Sequence, residues 1–159
     1  MSTDHPTYPM TAEALDALRA ELKHKEEVEK PALAARLKTA IEMGDLSENA
    51  DYAAAKEDQS FLQGRIDELK QMIRWATIIE EKVGSYDSVE LGCHVTVLEE
   101  GEGEPETFRL VGKVEANPRE GRISDESPLG RALLHHKVGD TVRVEAPDGD
   151  IVFKIVEIE

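Results

Sequence analysis

The chain has 159 residues and a mass of 17.6 kDa, which is enough for one ordinary domain or two small ones and too little for a large cofactor-binding enzyme fold. Its 34 acidic and 19 basic side chains give a net charge of -15, which repels the phosphate backbone of a nucleic acid. The composition therefore argues against nonspecific nucleic-acid binding by this protein alone. Only 4% of the residues are aromatic, so the core has to be built mainly from aliphatic side chains.

The cysteine content and the N-terminal sequence indicate the cellular compartment. One cysteine, Cys93, allows neither an intramolecular disulfide nor a thiolate metal cluster, which fits a reducing environment. The first ten residues lack a basic segment followed by an apolar run, and no later stretch approaches the ~18 apolar residues of a membrane span. We expect a soluble cytoplasmic protein that has no membrane partner.

Residues 1–80 have the periodicity of helices. Thr11 before an acidic first turn predicts the start of a first helix, and Pro31 predicts a local bend in it. Apolar residues then recur at spacings of three and four in two stretches, with Gln59 as the polar exception: Leu15, Leu18, Leu22, Leu33, Leu37, Ala40 and Ile41, then Tyr52, Ala55, Leu62, Ile66, Leu69, Ile73 and Ala76. This pattern predicts an N-terminal antiparallel coiled-coil hairpin over residues 1–80, with its acidic tip near residues 44–49.

Residues 81–159 have the periodicity of strands and contain nine of the eleven glycines. Alternating apolar residues predict strands at 94–98, 107–111, 141–144 and 151–156, and the Asp-Gly turn within 147–150 predicts that the last two form a hairpin. Ser127 followed by Pro128 predicts a short helix over residues 127–134. The whole chain therefore predicts an α+β fold, in which the hairpin is followed by a small antiparallel β-sheet domain over residues 81–159.

Asp45 and Glu48 are the strongest candidates for chemistry. Their three-residue spacing in the first turn of a helix brings the two carboxylates to one side, where both could reach one Mg²⁺ ion that takes its other ligands from elsewhere. The same spacing is also that of a capping box, in which Asp45 accepts the amide of Glu48 and the Glu48 side chain reaches back. Spacing alone leaves both interpretations open, and the position at the end of a helical rod favours the metal.

Four other groups of residues have simpler structural interpretations. The adjacent pair His135 and His136 has no third ligand at metal spacing and predicts solvent-exposed surface. Cys93 and His94 are expected to be structural residues, and Trp75 is expected to pack near the domain junction. The basic residues close to the tip predict either a small basic spot or a solvated face: Lys56, Arg36 and Lys38.

Two blocks of the sequence carry a resemblance to a known family. Residues 44–52 read GDLSENADY and are followed by AAKEDQSF at 54–61, whereas residues 127–133 read SPLGRAL and are followed by APDG at 146–149. In these blocks and in their order the chain resembles the Gre family of bacterial transcript-cleavage factors, over nearly its whole length. The resemblance implies a C-terminal domain similar to FK506-binding proteins that binds RNA polymerase, and a coiled coil that enters the secondary channel of the polymerase.

The resemblance also implies roles for particular residues. Asp45 and Glu48 would help to hold a second Mg²⁺ ion in the active centre of the polymerase, so that the RNA 3′ end of a backtracked complex is cut internally. We expect the chain to have no metal site of its own and not to be an enzyme by itself. Lys56 matches a basic residue of the family near the tip and is assigned to RNA contact, and the polymerase contact is assigned to Ser127, Pro128 and Leu129. Because both helical seams are used internally, we expect a monomer.

The chain departs from the family pattern at a few positions, and two other functions remain open. Ile41 occupies a position where members often carry Arg, so the basic spot is expected to be weak and to bind the extruded RNA less firmly. Ala53 and Ala54 lie where a His is common, a difference to which the sequence assigns no effect. A paralogue that occupies the same channel and inhibits polymerase is one alternative, although such paralogues tend to have altered tips. A prolyl isomerase is the other, and it would need a proline pocket built from few aromatic residues: Tyr86, Phe108 and Phe153.

Overall fold

The computed structural model describes residues 5–44, 49–82, 84–101 and 103–159. The chain forms two compact units. One comprises Leu15–Ala76 together with residues 5 and 6, and the other comprises Thr77–Glu159 together with Thr7–Ala14. The second unit is therefore discontinuous in the sequence, because a short N-terminal segment belongs to it. The α+β fold class predicted from the sequence is confirmed.

The first helical run begins where the sequence predicts. Helix α1 (Ala12–His24) follows Thr11, whose Oγ1 accepts a hydrogen bond from the Ala14 amide at 3.2 Å, so the predicted cap is confirmed. A π-helix at Lys25–Glu29 and then α2 (Lys30–Glu42) continue the run. Pro31 has no amide proton for a helical bond and crowds the preceding turn, so the predicted irregularity takes the form of a wider turn just before it.

Helix α3 (Ala50–Arg74) runs antiparallel to this first run. Ion pairs show the direction, since Glu21 pairs with Arg65 at 2.9 Å whereas Arg36, later in the chain, pairs with the earlier Asp58 at 2.7 Å. The buried side chains of the hairpin are aliphatic or Met: Leu18, Leu37, Ala40, Ala55, Ile66, Leu69 and Met72. The predicted antiparallel hairpin is confirmed. None of the described helices is long and apolar enough to cross a membrane.

The seam differs from the predicted one in two places. Ile41 is 53% exposed, so its predicted burial is wrong, and Met72 is buried where Ile73 was expected. Leu37 and Ala40 already face α3, and the next residue lies about 100° further around the helix, which turns Ile41 towards solvent. Gln59, the polar member of the seam, lines an open cavity of about 320 Å³ between α2 and α3.

The second unit contains a five-stranded sheet, whose strands in chain order are β3 (His94–Glu99), β4 (Glu106–Val111), β5 (Arg122–Ser124), β6 (Thr141–Val144) and β7 (Ile151–Ile158). Across the sheet they lie in the order β5-β4-β3-β7-β6. The four predicted strands and the β6–β7 hairpin are confirmed. The sheet is not wholly antiparallel, because β5 lies parallel to β4. The connection through residues 112–121 contains a 3-10 helix and carries the chain back, so that β5 runs in the same direction as β4.

The core of this unit lies on one face of the sheet. Strand β3 is central and turns Val95 and Val97 inwards, with bonds to β4 on one side and to β7 on the other. Helix α4 (Pro128–Leu133) contributes Leu133, which has no exposed surface. The remaining core residues are mostly aliphatic, as the composition predicts: Val89, Cys93, Leu110, Ile123, Val142, Val144, Phe153, Ile155 and Ile158.

The N-terminal segment of the second unit is held by specific contacts. Strand β1 (Tyr8–Met10) pairs with β2 (Ala76–Ile78) in a two-stranded sheet that the sequence analysis missed. The Glu115 carboxylate accepts hydrogen bonds from the Thr11 amide at 3.0 Å and from the Thr11 hydroxyl at 2.8 Å. A Cβ on Gly112 would lie 2.1 Å from the Pro9 carbonyl oxygen, so only glycine allows the two backbones to approach this closely.

Candidate functional site

The candidate site is the segment that joins α2 to α3. Helix α2 ends at Glu42 with Met43 as its C-cap, and Gly44 follows with a φ of 110°, a conformation that favours glycine. Helix α3 begins at Ala50 and is capped by Asn49. Asp45 and Glu48, the two predicted metal ligands, lie outside the described residues, so their assignment stays a prediction.

Asn49 occupies the position that the capping interpretation had given to Asp45. Its Oδ1 accepts a hydrogen bond from the Tyr52 amide at 3.1 Å, and its Nδ2 donates to the Ala40 carbonyl oxygen at 2.8 Å. The N-cap of α3 is thus Asn49, and this helix does not need Asp45 as its cap. The signal was present in the sequence, since Asn is a preferred N-cap residue and directly precedes the helical pattern that begins near Tyr52.

Arg36 joins the two helices close to this segment. Its Nη1 donates to Asp58 at 2.7 Å, and its Nη2 and Nε donate to Asp51 at 3.1 and 3.3 Å. The hydrogen bonds to Asp58 and Asp51 raise the pKa of the Arg36 guanidinium. Because Arg36 is already paired with two carboxylates, its charge is largely neutralised at the predicted basic spot.

Lys56, the predicted RNA contact, lies on the exposed surface of α3. Its Nζ donates to Oε1 of Gln59 at 3.3 Å, one turn further along the same helix. Lys38, on α2, is exposed as well. Since both ammonium groups are on the surface, Lys56 has the accessibility that contact with RNA requires, and that role stays a prediction.

The start of α4 contains the residues assigned to polymerase contact. The Ser127 hydroxyl accepts the Gly130 amide at 3.0 Å and donates to the Ser124 carbonyl oxygen at 2.6 Å, so it caps the helix and fixes it to β5. Pro128 is exposed at the first helical position, and Leu129 is half-buried against the core. The predicted helix is confirmed, and it presents Pro128 on the surface of the second unit.

The other titratable candidates do not form a site. Cys93 is buried, which raises the pKa of its thiol, whereas the neighbouring His94 is exposed. His135 is exposed, and His136 is half-buried with Nδ1 at 3.2 Å from the Leu134 carbonyl oxygen. Among the residues that the structure describes, no three His, Cys, Asp or Glu side chains converge to hold a metal ion.

The Trp75 side chain lies at the C-terminal end of α3. Its ring stacks on the His5 ring with a centroid distance of 3.5 Å, and the Arg74 guanidinium lies 5.0 Å from the ring centroid. All three residues belong to the first unit. The Trp75 ring therefore packs against residues of its own unit.

Two family models match the chain. Residues 8–78 match the model described as "Transcription elongation factor, N-terminal", and residues 84–159 match the model described as "Transcription elongation factor, GreA/GreB, C-term". These matches define the class of protein: a transcription elongation factor, here built from a helical hairpin and a small sheet unit. The chain belongs to the GreA/GreB family of transcription elongation factors, as the resemblance in its sequence predicts.

Two curated relatives agree with this assignment. The chain is 46% identical over 153 residues to transcription elongation factor GreA of Lactococcus lactis subsp. cremoris (strain MG1363), covering 96% of this chain and 98% of the relative. It is 45% identical over 152 residues to GreA of Geobacillus kaustophilus, covering 96% of each. Among solved structures, GreA factor homolog 1 (Gfh1) of Thermus thermophilus is 29% identical with a TM-score of 0.45, covering 97% of this chain and 99% of that one.

Proposed function

We propose that this elongation factor binds RNA polymerase and stimulates cleavage of the 3′ end of backtracked RNA. The hairpin enters the secondary channel, and Asp45 and Glu48 provide carboxylate ligands to a Mg²⁺ ion of the polymerase active centre. The observation that carries the proposal is the position of both acids in the segment between Gly44 and Asn49, at the end of an antiparallel hairpin. Membership of the GreA/GreB family supports it.

The proposed chemistry assigns the two carboxylates a limited role. Carboxylate oxygens are the ligands that Mg²⁺ prefers, and two of them leave room for water, phosphate and the ligands of the polymerase. When bound, the ion supplies an activated water and stabilises the charge on the leaving oxygen of the phosphodiester. Asp45 and Glu48 orient that ion and its water, so the chain works as an accessory to the catalytic centre of another protein and is not an enzyme by itself.

Two further contacts belong to the same proposal. The start of α4, with exposed Pro128 between the half-buried Ser127 and Leu129, binds the polymerase, and the exposed ammonium of Lys56 contacts the extruded RNA. A net charge of -15 is compatible with this arrangement, because the main partner is a protein and contact with RNA is local.

Stimulated cleavage in stalled complexes tests the proposal. Asp45→Ala and Glu48→Ala should each lower the cleavage rate at saturating factor by at least about tenfold, because a metal-orienting group is lost. Affinity for polymerase should stay within twofold of the parent, since the binding surface is unchanged. Glu42→Ala removes a neighbouring exposed carboxylate of α2 and should leave both quantities unchanged.

This cleavage assay and a peptide assay separate the proposed function from an inhibitor and from a prolyl isomerase. A double Asp45→Ala, Glu48→Ala variant that cleaves as fast as the parent would refute the role of the acids. A parent chain that slows elongation without raising cleavage would identify an inhibitor. Turnover of a proline peptide without polymerase would instead identify a prolyl isomerase.

A further inference from the structure

The side chain of Asn49 connects the two helix ends that bracket the candidate site. Its amide nitrogen donates to the Ala40 carbonyl oxygen at 2.8 Å, and its amide oxygen accepts the Tyr52 amide at 3.1 Å. These partners fix the orientation of the carboxamide, because a carbonyl can only accept and a backbone amide can only donate. Asn49 is half-buried and Ala40 has no exposed surface, so the connection lies on the inner side of the hairpin.

Each bond reaches a backbone group at a helix end, where helix geometry leaves fewer partners within the helix. The Ala40 carbonyl lies in the last turn of α2 and also accepts the Met43 amide at 3.3 Å, and the Tyr52 amide lies in the first turn of α3. One side chain therefore serves both helix ends. Ser, Thr and Asp also cap helices, but a carboxamide offers an acceptor and a donor together at this length.

We infer that Asn49 is a positioning residue that sets the separation between the end of α2 and the start of α3. Only residues 45–48 join Gly44 to Asn49, so the distance between these two ends restricts the conformations that the joining residues can adopt. Asp45 and Glu48 are the first and last of those four residues. The inference rests on the proposed function where it concerns magnesium, whereas the connection between the helix ends does not depend on that function.

Substitutions at Asn49 separate this connection from helix capping. Asn49→Ser and Asn49→Asp both retain a preferred N-cap acceptor for the Tyr52 amide, and both lack the donor that reaches Ala40. One variant is neutral and the other is charged, so an effect that they share comes from the lost donor and not from charge. Asp58→Asn is the matched control, because it weakens the Arg36 pair between the same two helices and leaves the Asn49 bonds in place.

Cleavage is measured in stalled complexes over a range of factor and Mg²⁺ concentrations. At saturating factor, both Asn49 variants should lose about 10- to 100-fold in maximal cleavage rate, as expected for a small misplacement of reacting groups. They should also need several times more Mg²⁺ for half-maximal stimulation. The factor concentration for half-saturation should stay within twofold of the parent. Asp58→Asn should change none of the three quantities by more than twofold.

Amide hydrogen exchange gives a readout that needs no polymerase. In the Asn49 variants the amides of Met43 and Gly44, which bond to the last turn of α2, should exchange faster than in the parent. The Tyr52 amide should stay protected by the retained cap. Cleavage by either Asn49 variant at the parent rate and Mg²⁺ requirement would overturn the inference, and so would an equal loss in Asp58→Asn. If the parent does not stimulate cleavage, the proposed function fails, and unchanged exchange in the variants would then overturn the connection itself.

Discussion

At the scale of single residues, Gly130 is the glycine at which packing leaves least room for a side chain. A Cβ at this position would lie 1.9 Å from the Ser124 carbonyl oxygen, and Gly130 is buried. The same carbonyl accepts the Ser127 hydroxyl at 2.6 Å, so it cannot move away without breaking the cap of α4. Gly130 therefore allows the helix to approach β5, and Ser127 holds it there.

Alanine substitutions at two glycines should have opposite effects. Gly130→Ala should lower the free energy of unfolding by about 1–3 kcal/mol, because the added methyl group overpacks the contact with Ser124. Gly64→Ala should raise it by about 0.5–1 kcal/mol, because Gly64 lies in the middle of α3 with nothing within 4 Å of its Cβ position. Calorimetric unfolding of the two variants checks this, and effects of the same sign would contradict the packing described here.

At the scale of secondary-structure elements, the contribution of a side chain to the stability of the hairpin depends more on its burial than on its size. Leu69 of α3 has no exposed surface, whereas Phe61 of the same helix is 69% exposed. Phe61 is the larger side chain, yet most of it already contacts water in the folded state. The hairpin therefore derives its stability from Leu69 and its buried neighbours.

Truncation of these two side chains should reverse the order expected from their size. Leu69→Ala should lower the free energy of unfolding by about 2–5 kcal/mol, because it leaves a cavity in the seam. Phe61→Ala should change it by no more than about 0.5 kcal/mol. Urea unfolding followed by the fluorescence of Trp75, the one tryptophan of the chain, measures both. A larger loss for Phe61→Ala would show that its ring is buried in solution.

The elements that the sequence predicts well are those with local signals. Ser127 and Pro128 define the start of α4 within two residues, and Asp148 with Gly149 defines the β6–β7 turn, where Gly149 has a φ of 122°. Strand β5 and the pair β1 and β2 have only three residues each, too few for an alternating pattern to stand out.

The candidate site was less predictable, because its contacts join distant parts of the sequence. Asn49 meets Ala40 and Arg36 meets Asp58 only after the hairpin has formed, and residue spacing along the chain does not reveal either pair. Ile41 was misassigned for a related reason, since its burial depends on which side of α2 faces α3. The assignment of Asp45 and Glu48 still rests on spacing and on the family resemblance.

At the scale of the whole molecule, the proposed function places binding and cleavage on different units. Asp45 and Glu48 belong to the first unit, and the segment assigned to polymerase contact belongs to the second. A substitution at the acids of the first unit should therefore lower the cleavage rate without weakening binding to polymerase. A substitution at the contact segment of the second unit should weaken binding to polymerase without lowering the cleavage rate at saturating factor. Two exposed prolines of the second unit, Pro128 and Pro118, offer a matched test of this separation, because each lies in the first turn of a short helix.

Pro128→Asp should weaken binding to polymerase by at least about tenfold, which corresponds to ~1.4 kcal/mol. An acidic residue is favourable in the first turn of a helix, so α4 should still form. Pro118→Asp makes the same change of charge on the same unit and should leave binding within twofold of the parent. Fluorescence anisotropy with labelled factor measures both affinities, and equal affinities for the two variants would place the contact elsewhere.

The bonds from Thr11 to Glu115 have a consequence for how the chain is made. Thr7–Ala14 is synthesised about a hundred residues before the carboxylate that holds Thr11 and the glycine that admits Pro9. The helical hairpin can close while translation continues, whereas the sheet unit is complete only when Thr7–Ala14 has bound to the part of the chain around Gly112 and Glu115. A fragment that starts at Thr77 would therefore lack part of its own fold.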